Sequence, residues 1–166
     1  MDHNLRTPRL DLRPVTPLDL TALAAHWTDP EVRRFLFDGA ELSPAEIAEA
    51  IEDSTRSFAL TGWGLWLVFA AEELIGTAGL RQLDDLGPEV VYSLVPSAWG
   101  KGYATEAARA VLDHALVTLG LPEVFAEVDE GNTASAATIG RLGMTPYDKV
   151  RGELGPMIRY RLARPR

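Results

Sequence analysis

From Leu94 to Leu116 the chain reads LVPSAWGKGYATEAARAVLDHAL: an apolar run ends in the turn Trp99-Gly100-Lys101-Gly102-Tyr103 and passes at once into a helical pattern. Glycines at such a junction let backbone approach a ligand closely, and the first turn of a helix leaves amide N–H groups without intrahelical partners. Together with the partial positive charge of the helix N-terminus they make an anion site that needs no dedicated lysine. Two nucleotide loops do not fit. A Walker-type loop wants Ser or Thr after its lysine, and Lys101 is followed by Gly102. A dinucleotide fingerprint wants a third small residue where Thr105 stands, in a unit that opens a parallel sheet. The chain has no cysteine, which excludes disulfides and thiolate catalysis. His3, His26 and His114 lack metal-ligand spacing, so no metal is expected. A net charge of −8 lacks the basic footprint of nucleic-acid binding and suits a basic partner.

The elements that must hold this turn follow from periodicity and capping signals. RLDLRPV, from Arg9 to Val15, alternates as a strand. Short helical spacings cover Leu18 to His26 and Pro30 to Phe37, with Asp29 and Pro30 as cap and first position. Ser43, Pro44 and Glu46 form a capping box for a helix running to about Leu60. GLWLVFA, ELIGTAGLRQL and PEVVYSLVP read as three consecutive antiparallel strands. The helix after the glycine turn carries an apolar stripe from Ala104 to Leu119 and stops at Gly120. EVFAEVD is a buried strand, NTASAATIGRLG a short helix, and PMIRYRLAR a terminal strand. This order predicts an α+β fold in one domain over residues 1–166, its sheet mostly antiparallel with one parallel crossover. The segment from Met1 to Arg13 has no apolar run of signal length, and no stretch reads as a membrane span, so a cytoplasmic location is expected.

The residues WGKGYATEA resemble the pyrophosphate loop of the GNAT superfamily of acetyl-coenzyme A dependent N-acetyltransferases. The family pattern of Gln or Arg, two residues, Gly, one residue, and Gly or Ala maps onto Trp99 to Ala104 and departs from it at Trp99. Tryptophan there, with GKGYATEA after it, is similar to the branch of ribosomal-protein N-terminal (alanine or serine) acetyltransferases. TPRLDLRPVTPLDL, EVVYSLVP, NTAS and RLGM resemble further parts of that branch in the expected order, so the likeness covers essentially the whole chain. It implies a sheet of about six to seven strands flanked by helices, with splayed central strands. It implies acetyl-coenzyme A as cosubstrate and no metal. Coenzyme contacts fall on Trp99, Gly100, Lys101, Gly102, Tyr103, Ala104, Thr105 and Asn132, with Lys101 and Arg109 adding charge near the phosphates. The acceptor is a primary amine: a protein or peptide N-terminus, or a small amine such as a polyamine, an amino-acid derivative or an antibiotic. Nucleic acid and membrane are not expected partners, and the chain is expected to be a monomer or homodimer.

Acetyl transfer to an amine needs a neutral nucleophile, a donor for the oxyanion on the thioester carbonyl, and a proton for the leaving thiolate. The resemblance places the base at Glu89, direct or through water, with Asp84 and Asp85 as weaker alternatives. It places the oxyanion donor, a backbone N–H at a strand bulge, at Leu94 or Val95. Many members carry an acidic Tyr where this chain has Ile139, which has no proton to give; the ribosomal branch implies Ser135 instead. Trp27, Phe35 and Trp66, with Phe37 and Trp63, are large enough to line an acceptor pocket, and Asp38, Glu41 and Asp53 are acidic groups near them in sequence. Ile139 also leaves open a coenzyme-binding module without turnover.

Overall fold

The computed structural model describes residues 2–34, 36 and 39–165. In chain order its elements are β1 (Leu5–Arg6), β2 (Leu10–Pro14), α1 (Leu20–Trp27), α2 (Pro30–Arg33), α3 (Pro44–Thr61), β3 (Leu65–Ala70), β4 (Glu73–Leu83), β5 (Gly87–Leu94), α4 (Tyr103–Asp113), β6 (Glu123–Asp129), α5 (Thr133–Arg141), β7 (Thr145–Gly152) and β8 (Gly155–Ala163). The helix starts are those the capping residues dictate. Ser43 Oγ accepts from Glu46 N–H while Glu46 reaches back to Ser43 N–H, and Asp29 caps α2 through Glu31 N–H. The second helix stops at Arg33, short of the Phe37 that its spacing predicts. The stripe after the glycine turn changes its winding: α4 passes into a π-helical turn, His114–Thr118, where Leu119 N–H bonds His114 C=O at 2.8 Å.

All eight strands of the described residues join one sheet in the order β1-β2-β3-β4-β5-β6-β8-β7. The count exceeds the expected six to seven because of the two edges. β1 has two residues, and β7 is almost wholly exposed, so TPYDKVRG shows no apolar alternation to mark it. On one face α4 and α5 cover a core that includes Leu10, Trp66, Ala78, Val90, Leu94 and Val124, to which the end of α3 adds Phe58. On the other face Leu23 and Trp27 of α1 and Ile47 and Ile51 of α3 pack over Val15 and Leu67. Among the described residues no helix is long and apolar enough to cross a membrane.

The joint between β5 and β6 makes the site. β5 pairs with β4 without interruption from Gly87↔Leu83 to Leu94↔Gly76, but it meets β6, its parallel neighbour across the α4 crossover, at the single pair Glu89↔Phe125. Beyond Glu89 the two strands part, and the second half of β5 has one side open.

Candidate active site

Two left-handed residues shape the turn before α4: Gly100 at φ +74° and Gly102 at φ +80°. A side chain at either position would be strained, because an L-residue there brings Cβ against its own backbone. The first helical bond is Glu106 N–H to Gly102 C=O, so the amides of Tyr103, Ala104 and Thr105 precede any partner within the helix. Arg9, from the segment before β2, braces the turn from behind. Its Nη1 donates to Lys101 C=O at 2.8 Å, its Nε pairs with Glu106 Oε1 at 2.8 Å, and its guanidinium lies over the Tyr103 ring at 4.5 Å. Burial alone raises the Glu106 carboxyl, but hydrogen bonds from the Thr7 hydroxyl and from Arg9 outweigh it and hold the group below its ordinary value. Arg109 is turned elsewhere: its Nη2 caps the Arg141 carbonyl at 2.7 Å rather than adding to the turn.

The end of β5 supplies a backbone donor, though not by a bulge. Val95 N–H donates to Ile75 C=O at 2.8 Å and is therefore spent inside the β4 ladder. In an antiparallel ladder the next residue back points its polar groups the opposite way, so Leu94 turns N–H and C=O toward the open side where β6 has parted. Its carbonyl is taken by the Trp99 indole N–H at 2.9 Å. The Leu94 amide thus faces the cleft beside a capped carbonyl, and Trp99 has a local reason to be tryptophan.

The cleft between the parted strands has a volume of about 1390 Å³ and is lined by Glu89, Leu94, Trp99, Ala104, Asn132 and Ser135 among the residues singled out by sequence. The two-residue period of β5 divides its chemistry between faces. On the α4–α5 face the Tyr92 hydroxyl lies 2.8 Å from Ser135 Oγ, and Asn132 Oδ1 caps α5 by accepting from Ser135 N–H at 3.1 Å. Burial raises the Tyr92 phenol above its ordinary value, against the opposing bonds to Ser135 and Thr138, so it stays protonated. On the opposite face Glu89, 2% exposed, pairs with Arg81. Burial pushes its carboxyl above the usual value; Arg81 opposes the rise, and the charges of Glu127 and Asp84 add to it. Five residues separate Glu89 from Leu94, about 16 Å of strand at ~3.3 Å per residue, which rules out direct contact between Glu89 and an atom held at the Leu94 amide.

Much of the expected aromatic acceptor pocket is core. Trp66 is fully buried, edge-on to Phe58 and His114, with its indole N–H donating to His3 C=O at 2.7 Å. Trp27 packs with Leu23, Ile47, Ile51 and Leu67. Trp63 packs against the core on the α4 side, and Asp53 pairs with Arg56 on the surface of α3. Large apolar side chains on amphipathic elements are driven inward before they are free to line a cleft. Phe35, Phe37 and Asp38 lie outside the described residues. The wall on the acceptor side is instead polar: Glu31, Arg34, Arg81, Glu89, Glu127 and Arg159 line it, with Arg159 pairing with Glu127 at 2.8 Å.

A family model described as an acetyltransferase (GNAT) domain matches residues 9–145. The chain belongs to the GNAT acetyltransferase family. An uncharacterized N-acetyltransferase p20 of Bacillus licheniformis is 29% identical over 163 residues, covering 92% of this chain and 91% of its own. The crystal structure of an acetyltransferase from Agrobacterium tumefaciens matches with a TM-score of 0.82 at 27% identity, over 96% of this chain and 93% of that one. A ribosomal L7/L12 alpha-N-protein acetyltransferase in complex with coenzyme A matches with a TM-score of 0.81 at 15% identity over 96% and 97%, a likeness of fold. The protein is therefore a GNAT N-acetyltransferase, of a family whose cosubstrate is acetyl-coenzyme A.

Three parts of this GNAT site were not singled out by sequence reading. Arg9 braces the glycine turn from 92 residues away, and no local pattern reports such a contact. Tyr92 stands in the EVVYSLVP stretch, and strand alternation from the Leu94 position places it on the α4–α5 face. Ser93 lines the cleft on the other face and holds His26. A polar residue in an apolar strand is the signal that would have marked it.

Proposed function

We propose that this protein binds acetyl-coenzyme A with its pyrophosphate on the amides of residues 103–105 and its thioester carbonyl at Leu94 N–H, and transfers the acetyl group directly to a primary amine. The observation that carries the reading is the conjunction of a partnerless helix start with a strand end whose amide faces an open parting of the sheet. A preorganised oxyanion donor of this kind is worth about 3 kcal/mol in other enzymes. Gly100 and Gly102 keep side chains out of the phosphates' way, and Trp99 and Ala104 flank them on the cleft wall. Asn132, whose Oδ1 is engaged as a cap, has its amide nitrogen for the pantetheine arm. Tyr92 and Ser135 form a hydroxyl pair on the thiol side, and this pair takes the acid role that Ile139, 1% exposed and apolar, has no group to fill. On the other side Glu89 and Glu127 set a negative field that draws an ammonium into the parting. The likeness in fold to a ribosomal N-terminal acetyltransferase supports a protein or peptide N-terminus as the acceptor.

Thiol release from acetyl-coenzyme A in the presence of a mixed pool of short peptides with free N-termini and of polyamines tests this reading. The expected result is release that depends on amine, with mass spectrometry showing a gain of one acetyl group on the consumed member. Tight coenzyme binding with no release from any member would instead favour a module that binds without turnover.

A further inference from the structure

On the acceptor face, next to the Leu94 amide, lies a chain of polar groups that coenzyme binding does not use. His26 Nε2 of α1 is 2.9 Å from Ser93 Oγ, which is 2.7 Å from Thr77 Oγ1 of β4. The three residues are 6%, 9% and 3% exposed, and among the described residues the buried His26 Nδ1 has no hydrogen-bond partner. Burying an imidazole with half its polar capacity unsatisfied costs free energy that an apolar residue at this position of α1 would not. Ser93 is nevertheless a cleft residue, adjacent in sequence to the oxyanion donor and on the face from which the amine must come. Glu89 on the same face is four residues away, about 13 Å of strand, and is tied to Arg81.

We propose that Ser93, backed by His26, receives the proton of the acceptor ammonium, Ser93 touching the nitrogen and His26 acting behind it as the positioning residue that holds the charge. This rests on the acetyltransferase reading above. The ammonium passes a proton to Ser93 Oγ as Ser93 passes its own hydroxyl proton to His26 Nε2. The neutral nitrogen then attacks the thioester carbon; the C–N bond forms, the C–S bond breaks, and the thiolate is protonated from the Tyr92–Ser135 pair. The nitrogen sheds its second proton along the same Ser93–His26 path once His26 has released the first to solvent, and the Tyr92–Ser135 pair is reprotonated from solvent, so that one proton is released per acetyl transferred. Burial holds the imidazole below its ordinary value of 6.5, against opposing contributions from the Ser93 backbone and the Asp29 charge, so it is neutral and able to accept at pH 7. Among the described residues few charges surround it. The sheet presents the uncharged Thr77 and Ser93, α3 presents Ile47 and Ile51 toward α1, the corner after α1 presents Asp29, and Glu31 and Arg34 stand at the cleft wall.

Nitrogen–proton correlation spectra of the imidazoles in the full chain test the arrangement without any acceptor. For His26 they should show the neutral tautomer protonated at Nδ1, because Nε2 accepts from Ser93; protonation at Nε2 would overturn the proposal. Kinetics with the pool member that releases thiol test the step. S93A and H26Q should each lower kcat at least tenfold with KM for acetyl-coenzyme A unchanged, S93T should restore most of it, and the acid limb of the wild-type pH profile, below 6.5, should vanish in H26Q. Wild-type kcat and an intact acid limb in S93A would dismiss the relay. A wild-type enzyme that binds coenzyme but never releases thiol would count against the acetyltransferase reading, and the tautomer would then decide the arrangement by itself.

Discussion

Tyr92 and Ser93 are adjacent, and the strand period sends one hydroxyl to the α4–α5 face and the other to the opposite face, with the Leu94 amide in the parting between them. Division of labour at this scale needs no flexible loop, only a polar pair at the right place in an apolar strand. Y92F should lower turnover on the order of a hundredfold if the phenol protonates the thiolate, while coenzyme affinity stays within about twofold and stability falls by about 1 kcal/mol from the lost bond to Ser135. Single-turnover rates and melting curves on the same preparation check it, and undiminished turnover would return the acid role to Ser135 or to water. Residue types were legible in part. Ser135 and Asn132 line the cleft, whereas Trp27 and Trp66 are core, because aromatic size alone does not say which face of an element a residue takes.

The element that decides the site is the end of β5, and β4 holds it there by close approach. A Cβ on Gly76 would meet the Ser93 carbonyl oxygen at 2.0 Å and Leu94 Cα at 2.9 Å. G76A should therefore displace the strand end, cost roughly 1–3 kcal/mol of stability, and weaken acetyl-coenzyme A binding several-fold by moving the Leu94 amide. Thermal melts and calorimetric titration of the variant check both effects; unaltered melting and affinity would show that this approach does not set the position of β5. Elements with strong local signals were legible from sequence: the Ser43 capping box, the antiparallel run β3 to β5 and the crossover through α4 all stand where pattern and caps put them. The parting of β5 from β6 came from resemblance and not from periodicity, since pairing partners are long-range facts. β7 left no trace because an edge strand exposed on both faces has no alternation to read.

At the scale of the molecule, the sheet separates two ligands that must meet. The amides of residues 103–105 and the Tyr92–Ser135 pair belong to the α4–α5 side, the charged wall from Arg81 to Arg159 belongs to the other, and the parting between β5 and β6 is where they join. The −8 net charge of the chain favours a cationic acceptor over an anionic coenzyme, so the coenzyme's hold must come from local amides rather than from the overall field. That makes the glycine turn the test of the whole account. Calorimetric titration of the wild-type chain and of G102V with acetyl-coenzyme A, each with a melting curve, measures it directly. One site is expected in the wild type and an affinity at least about tenfold lower in G102V, the equivalent of one lost charge-assisted hydrogen bond. Melting should drop only by the roughly 1–2 kcal/mol that a left-handed valine costs. Equal affinities in the two proteins would contradict it and remove the turn at residues 99–105 from the coenzyme site.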